Sequence, residues 1–214
     1  MIRRFALILS TFLVASLILF VSISKTACVS YSFSDAVGLS ATKQVLAFDQ
    51  VKRKNIDYTL AYPGRILPDS PLWQVKALRD WLWFSVTFNV SRKAELALLF
   101  ADKRLVGSAT LFERKKYELA FSTLTKAEKY LEEAARISEE NRKKGIDTSG
   151  FDSKLANASL KHREKMEEIL LIAPEDVKPQ IIKALSYSTQ VYAKGRDALL
   201  SKGLPVPENP FNGN

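Results

Sequence analysis

Residues 117–143 read YELAFSTLTKAEKYLEEAARISEENRK, 27 residues without a glycine or a proline. Tyr117, Ala120, Phe121, Leu124, Leu131, Ala134 and Ala135 recur at helical spacings, so one face is apolar and the remainder charged. The same period continues on both sides. Upstream, Ser91 to Phe112 places Leu98, Leu105, Ala109 and Phe112 on one stripe. The phase then jumps by five to Tyr117, which predicts a turn near Arg114–Lys116. Downstream, Gly145 to Gly150 is a break. A third helix is expected from Asp152 to Ile172 through Leu155, His162, Met166, Ile169 and Leu170, and Pro174 ends it. A fourth is expected from Asp176 to Ser201 through Ile181, Ile182, Leu185, Thr189, Tyr192 and Leu199, with Gly203 as its C-terminal cap. Helices with one apolar stripe must bury it against one another, and short connections favour antiparallel neighbours. The expected fold class is all-α, an antiparallel bundle of about four to five helices.

A different signal opens the chain. Arg3 and Arg4 precede Phe5–Ser24, FALILSTFLVASLILFVSIS, 20 residues without a charge. As a helix this run is ~30 Å long, the thickness of a bilayer's hydrocarbon core. The arginines would stay on the cytoplasmic side and send the body outward. An uncleaved anchor, cleavage after a signal segment, and lipidation at Cys28 are all open. The expected organisation is an anchor or signal segment over 1–24 and a lead-in over 25–62. A helical domain follows over 63–203, then a disordered tail over 204–214.

The entry to the domain is sharply punctuated. Pro63-Gly64 is a turn signal. In Leu67-Pro68-Asp69-Ser70-Pro71-Leu72, Ser70 reads as an N-cap and Pro71 as the first helical residue. The helix predicted next, Leu72 to Phe88, is apolar on several faces. It holds all three tryptophans, Trp73, Trp81 and Trp83, together with Phe84 and Phe88. Such a helix reads first as the centre of the bundle. An interfacial helix on a membrane and a protein-docking surface are the other two readings.

The string Tyr62-Pro63-Gly64-Arg65-Ile66-Leu67-Pro68-Asp69-Ser70-Pro71-Leu72, followed by Lys76-Ala77-Leu78-Arg79-Asp80, resembles the signature of a bacterial domain-of-unknown-function family, roughly YPGxLPDxPLYxxKxxRD. Lys93–Leu96, Ala101–Leu105 and Lys126–Tyr130 resemble that family's following helices, so the likeness spans about residues 55–140. Trp73 replaces the usual tyrosine, and Arg114–Lys116 lacks the glycine often found in that turn. The resemblance implies an exported or membrane-anchored helical protein with no assigned activity. Some related sequences occur in regulators of extracytoplasmic sigma factors. The signature residues Pro63, Gly64, Leu67, Pro68, Asp69, Ser70, Pro71, Leu72 and Lys76 read physically as a rigid lead-in and a helix start.

Chemistry-bearing motifs are scarce. There is no Gly-rich phosphate loop and no Gly-x-Ser-x-Gly elbow. One histidine and one cysteine leave little for a zinc or copper site. His162 lies on an apolar stripe and reads as a packed core histidine. Glu132, Glu133, Glu139 and Glu140 read as surface partners of Arg136 and Lys143. The net charge of +9 is spread among mixed signs. No enzyme, cofactor, metal, nucleic acid or small-molecule substrate is expected. The expected partners are the membrane, through residues 5–24, and another envelope protein. Trp73, Trp81, Trp83, Phe84 and Phe88 are the candidate interaction surface. Localisation is expected at the bacterial cell membrane, single-pass, with the body outside. A signalling regulator and a binder of anionic lipid or wall polymer are the alternatives.

Overall fold

The computed structural model describes residues 56–211. The expected anchor, Cys28, the lead-in up to residue 55 and the last three residues lie outside the described residues. Within them are five helices and no strand: α1 Trp73–Val86, α2 Val90–Glu113, α3 Tyr117–Lys143, α4 Ser149–Ile172 and α5 Lys178–Leu200. Among the described residues, no helix is long and apolar enough to cross a membrane.

The four long helices form two hairpins packed on each other. One apolar cluster joins Leu105 and Phe112 of α2 to Ala120 and Leu124 of α3, and Met166 and Ile169 of α4 to Ile181 of α5. A second joins Ala94 and Leu98 to Leu131 and Ala134, and Leu155 to Val191. Low numbers on one helix meet high numbers on the next, so neighbours within each hairpin run antiparallel. Small residues set the spacing. At Gly195 of α5 a β-carbon would stand 3.2 Å from the Asp152 carbonyl oxygen and 3.3 Å from the Ala156 β-carbon.

Three helix ends close in the same way. Lys115, Gly145 and Gly203 all have positive φ, at 59°, 77° and 67°. At each, the residue donates to a carbonyl three positions back and the next donates to one five back, as in Lys115 to Phe112 and Lys116 to Leu111. The turn without a glycine is therefore the same turn, with a lysine forced into the left-handed region. The Asp147–Asp152 loop is tied by Asp152, which accepts from Ser138 at 2.6 Å and Thr148 at 2.7 Å.

Two expectations about the chain's margins are corrected. Residues 204–211, expected to be disordered, pack on the bundle. Tyr192 Oη donates to the Pro207 carbonyl at 2.8 Å, and the Arg163 guanidinium lies 4.3 Å from the Phe211 ring centroid. Val206 and Phe211 cover Ala156, Leu160 and Tyr192. Prolines shorten the list of unfolded conformations this tail gives up, and its two apolar side chains have a patch to cover. Residues 56–62, expected as linker, also pack on the domain, as described below.

These contacts set two opposite expectations for stability. Gly195→Val forces a branched side chain onto a helix backbone and should cost roughly 1–3 kcal/mol. Lys115→Gly relieves the left-handed strain and should stabilise by about 0.5–1 kcal/mol, after allowing for the freer unfolded chain. Thermal unfolding of the two variants should move the midpoint in opposite directions.

Candidate interaction surface

The segment before α1 is a strap laid across the bundle. Burial alternates along it: Ile56, Tyr58 and Leu60 turn in, while Asp57 and Thr59 are exposed. The Tyr58 hydroxyl donates to Asp102 Oδ2 at 2.8 Å, and the Ala61 N–H reaches the same oxygen at 3.4 Å. Gly64 then takes φ of 83°, which a side chain would resist. This turn brings the carbonyls of Pro63 and Ile66 to Lys76 Nζ, at 2.6 and 2.8 Å. Burial lowers the Lys76 pKa from its ordinary value. Leu67 and Pro63 lie over Gly107 of α2, the side-chain-free position beneath them. Asp69 pairs with Arg114 and Lys116 at 2.9 Å each, fastening the strap to the α2–α3 turn. The Lys116 hydrogen bond, with Arg114 beside it, holds the Asp69 carboxyl below the usual carboxylate range.

The residues from Pro63 to Lys76 thus form a clasp. Ser70 Oγ accepts from the Leu72 N–H at 3.3 Å, but Ser70 and Pro71 belong to a turn, and the helix begins at Trp73.

Helix α1 is not the bundle's centre. Asp80 is its only buried residue. The four long helices already satisfy one another's stripes, so this 14-residue helix is left on the outside of α2. Its inner face is Trp73, Lys76, Asp80, Trp83 and Phe84. The Trp83 and Phe84 rings meet Phe100 of α2 at centroid distances of 6.1 and 6.4 Å, and Phe84 meets Tyr130 of α3 at 6.2 Å. Arg104 stacks over Tyr130 at 4.3 Å, and Lys93 over Phe84 at 4.8 Å. Asp80 sits among cations, paired with Arg79 at 2.6 Å.

The outer face of α1 carries several large apolar side chains among exposed Gln74, Arg79 and Ser85. Leu72, Val75, Leu78, Trp81 and Val86 are all exposed, and Phe88 in the following turn is 89% exposed. Of the five aromatic residues singled out in the sequence, the structure turns Trp73, Trp83 and Phe84 inward and leaves Trp81 and Phe88 in solvent. Phe88 lies beyond the helix, which ends at Val86.

A second feature escapes the periodicity reading. His162 is fully buried, as expected, but in charged surroundings. Its Nδ1 faces Glu128 Oε1 at 2.7 Å and its Nε2 faces Asp102 Oδ1 at 3.1 Å. The three residues come from α4, α3 and α2. Each stands in a gap of an apolar stripe: Asp102 between Leu98 and Leu105, Glu128 between Leu124 and Leu131, His162 between Leu155 and Met166. Those gaps are the signal that was there to be read. Burial disfavours the charged imidazole, but the Glu128 and Asp102 carboxylates outweigh it and raise its pKa to about 9. Burial and the neighbouring Asp102 charge also push the Tyr58 hydroxyl well above its ordinary value. The carboxylates lie at opposite ring edges, so they do not converge on one point. Among the described residues no group of three or more His, Cys, Asp or Glu is arranged to hold a metal ion. Asp102 and Glu128 are buried as well, so the cluster ties α2, α3 and α4 together in the interior.

The architecture defines a class: two antiparallel helical hairpins packed as a four-helix bundle, with a clasped outer helix. The family model described as domain of unknown function (DUF5667) matches residues 65–176, just over half of the chain, and the protein belongs to that family. The match begins in the strap and ends just before α5. No curated protein and no solved structure matches the chain.

The buried layer predicts a pH dependence. Its folded value of about 9 lies above the 6.5 of free imidazole. Its contribution is therefore full below about pH 6.5 and is lost as pH rises through about 9, on the order of 3 kcal/mol in all. His162→Leu should cost roughly 3–5 kcal/mol by leaving the buried Glu128 without its partner and Asp102 without one of its donors, and should flatten the profile over that window. Denaturant unfolding across pH checks both. Lys76→Met leaves two strap carbonyls without their donor and should cost about 1–3 kcal/mol, with faster hydrogen exchange in residues 60–72.

Proposed function

We propose that the protein is a non-enzymatic interaction module, tethered to the outer side of the cell membrane by residues 5–24, and that the outer face of α1 is its docking surface. The observation that carries this reading is the set of exposed large apolar side chains between Leu72 and Phe88, on a helix whose only buried residue is Asp80. Large exposed apolar patches on a folded domain mark interaction sites. The clasp gives the face its rigidity. Lys76, Asp69 and the aromatic contacts to Phe100 hold α1 in one orientation, so its outward side chains are presented together. The uncharged run Phe5–Ser24 supports the tether. The sealing of the chain's one histidine supports a role without catalysis.

The test is photo-crosslinking in intact cells, with a photoreactive side chain placed at position 78 or 81 of the full-length protein and a control at exposed Lys129 of α3. Adducts should form from the α1 positions and not from the control. The double substitution Leu78→Asp, Trp81→Asp should abolish partner recovery while changing stability by less than about 1 kcal/mol, since both side chains are already in solvent. Equal adduct patterns from α1 and from position 129 would show that this face has no special occupant.

A further inference from the structure

We infer that the occupant of the α1 face is the headgroup and acyl boundary of an anionic phospholipid bilayer, on which α1 lies flat. This rests on the docking reading above and names the partner. Four observations point to it. The face is a ridge of aliphatic side chains, Val75, Leu78 and Val86, joined by two exposed aromatic rings, Trp81 and Phe88. Tryptophan favours the membrane boundary, where its ring is half immersed.

The charges in and beside the ridge are mostly positive, although Arg79 is paired with Asp80. Between Ser70 and Lys93 the only acid is Asp80, and the fold turns it inward against the bundle. Arg79 and Arg92 remain exposed beside the ridge, with Arg65 exposed in the strap. An anionic surface complements that border, and an acidic rim that would repel it is missing from this stretch.

The ridge also projects its side chains outward, away from the bundle. The shallow cleft beside it, between Pro63, Trp73 and Lys103, lies on the inner side of α1 and has room for little more than a water. A bilayer takes up a ridge directly.

Finally, the uncharged run that ends at Ser24 is 31 residues from the start of the described strap at Ile56. That length of chain spans at most roughly 100 Å, so a membrane span at residues 5–24 would hold the α1 face within reach of the same bilayer. Lying flat, the ridge would sit ~5–10 Å into the headgroup and acyl boundary.

The experiment uses the full-length protein in proteoliposomes of phosphatidylglycerol with phosphatidylcholine, or of phosphatidylcholine alone. Trp73→Phe and Trp83→Phe leave Trp81 as the single indole. In anionic vesicles its emission should shift to the blue, be quenched by lipids brominated on the acyl chain, and be protected from aqueous acrylamide. Val75→Asp with Leu78→Asp should abolish all three effects. A parallel measurement leaves the tryptophans intact: Cys28→Ser with Leu78→Cys carries a nitroxide, whose collision with oxygen should rise and with a water-soluble nickel complex should fall. A Trp81 and a nitroxide both fully water-accessible in anionic vesicles would overturn the lipid assignment. Equal burial in neutral vesicles would overturn its anionic part. Loss of the lipid signal with protein adducts still forming at positions 78 and 81 would leave the docking reading standing with a protein occupant. Loss of both would end both.

Discussion

The imidazole of His162, held between Glu128 and Asp102, is the constraint around which the bundle is arranged. It lies at mid-length, between the apolar cluster around Leu105, Leu124 and Met166 and the one around Leu98, Leu131 and Leu155. Each of α2, α3 and α4 brings one ionisable group to that level. A slip of a single residue turns a helix side chain by 100° and would place a lone charge against leucine. Removing one partner of a buried charged group is far costlier than the group's net contribution to stability. The layer therefore penalises wrong registers more than it strengthens the right one. Glu128 adds to this, since its Oε2 meets no hydrogen-bond partner and its other oxygen depends on His162.

The same layer extends to the strap. Asp102 accepts from His162 on one oxygen and from Tyr58 and Ala61 on the other. Residues upstream of the family match are thus wired to the centre of the domain through one carboxylate. From there the strap passes over Gly107, is tied at Lys76 and Asp69, and delivers α1 to its place outside α2. The aromatic stack around Phe100 completes the seating. Residues with no common chemistry, Gly64, Lys76, Asp69 and Pro63, share one mechanical task.

The helical period was legible in the sequence because it follows from burial of a stripe. The second long helix was read with the same ends as α3, and the turn before it was placed correctly despite its lysine. The position of α1 was not legible. A helix apolar all round looks the same in sequence whether it is central or peripheral. The decision came from Asp80, whose charge needs Lys103 and Arg104 nearby, and from the saturation of the other stripes. The charged layer was only half legible. His162 reads as a core residue from its stripe, whereas Asp102 and Glu128 do not stand out, since acids ordinarily face water, although each sits in a gap between core leucines. The packed tail was missed because proline-rich ends usually have nothing to cover. Here they cover Leu160 and Tyr192. The anchor and its fate depend on residues outside the described part.

Ile56 and Phe211 rest on the same small patch of α4 and α5. The two ends of the described chain therefore leave from one place, on the hairpin opposite the one that carries α1. A domain of this kind is closed like a loop in a thread. Inserting it into another protein, or joining these two points and cutting a new opening elsewhere, would not have to stretch the backbone. The exposed turn at Lys144–Gly145 is the natural place for such a cut.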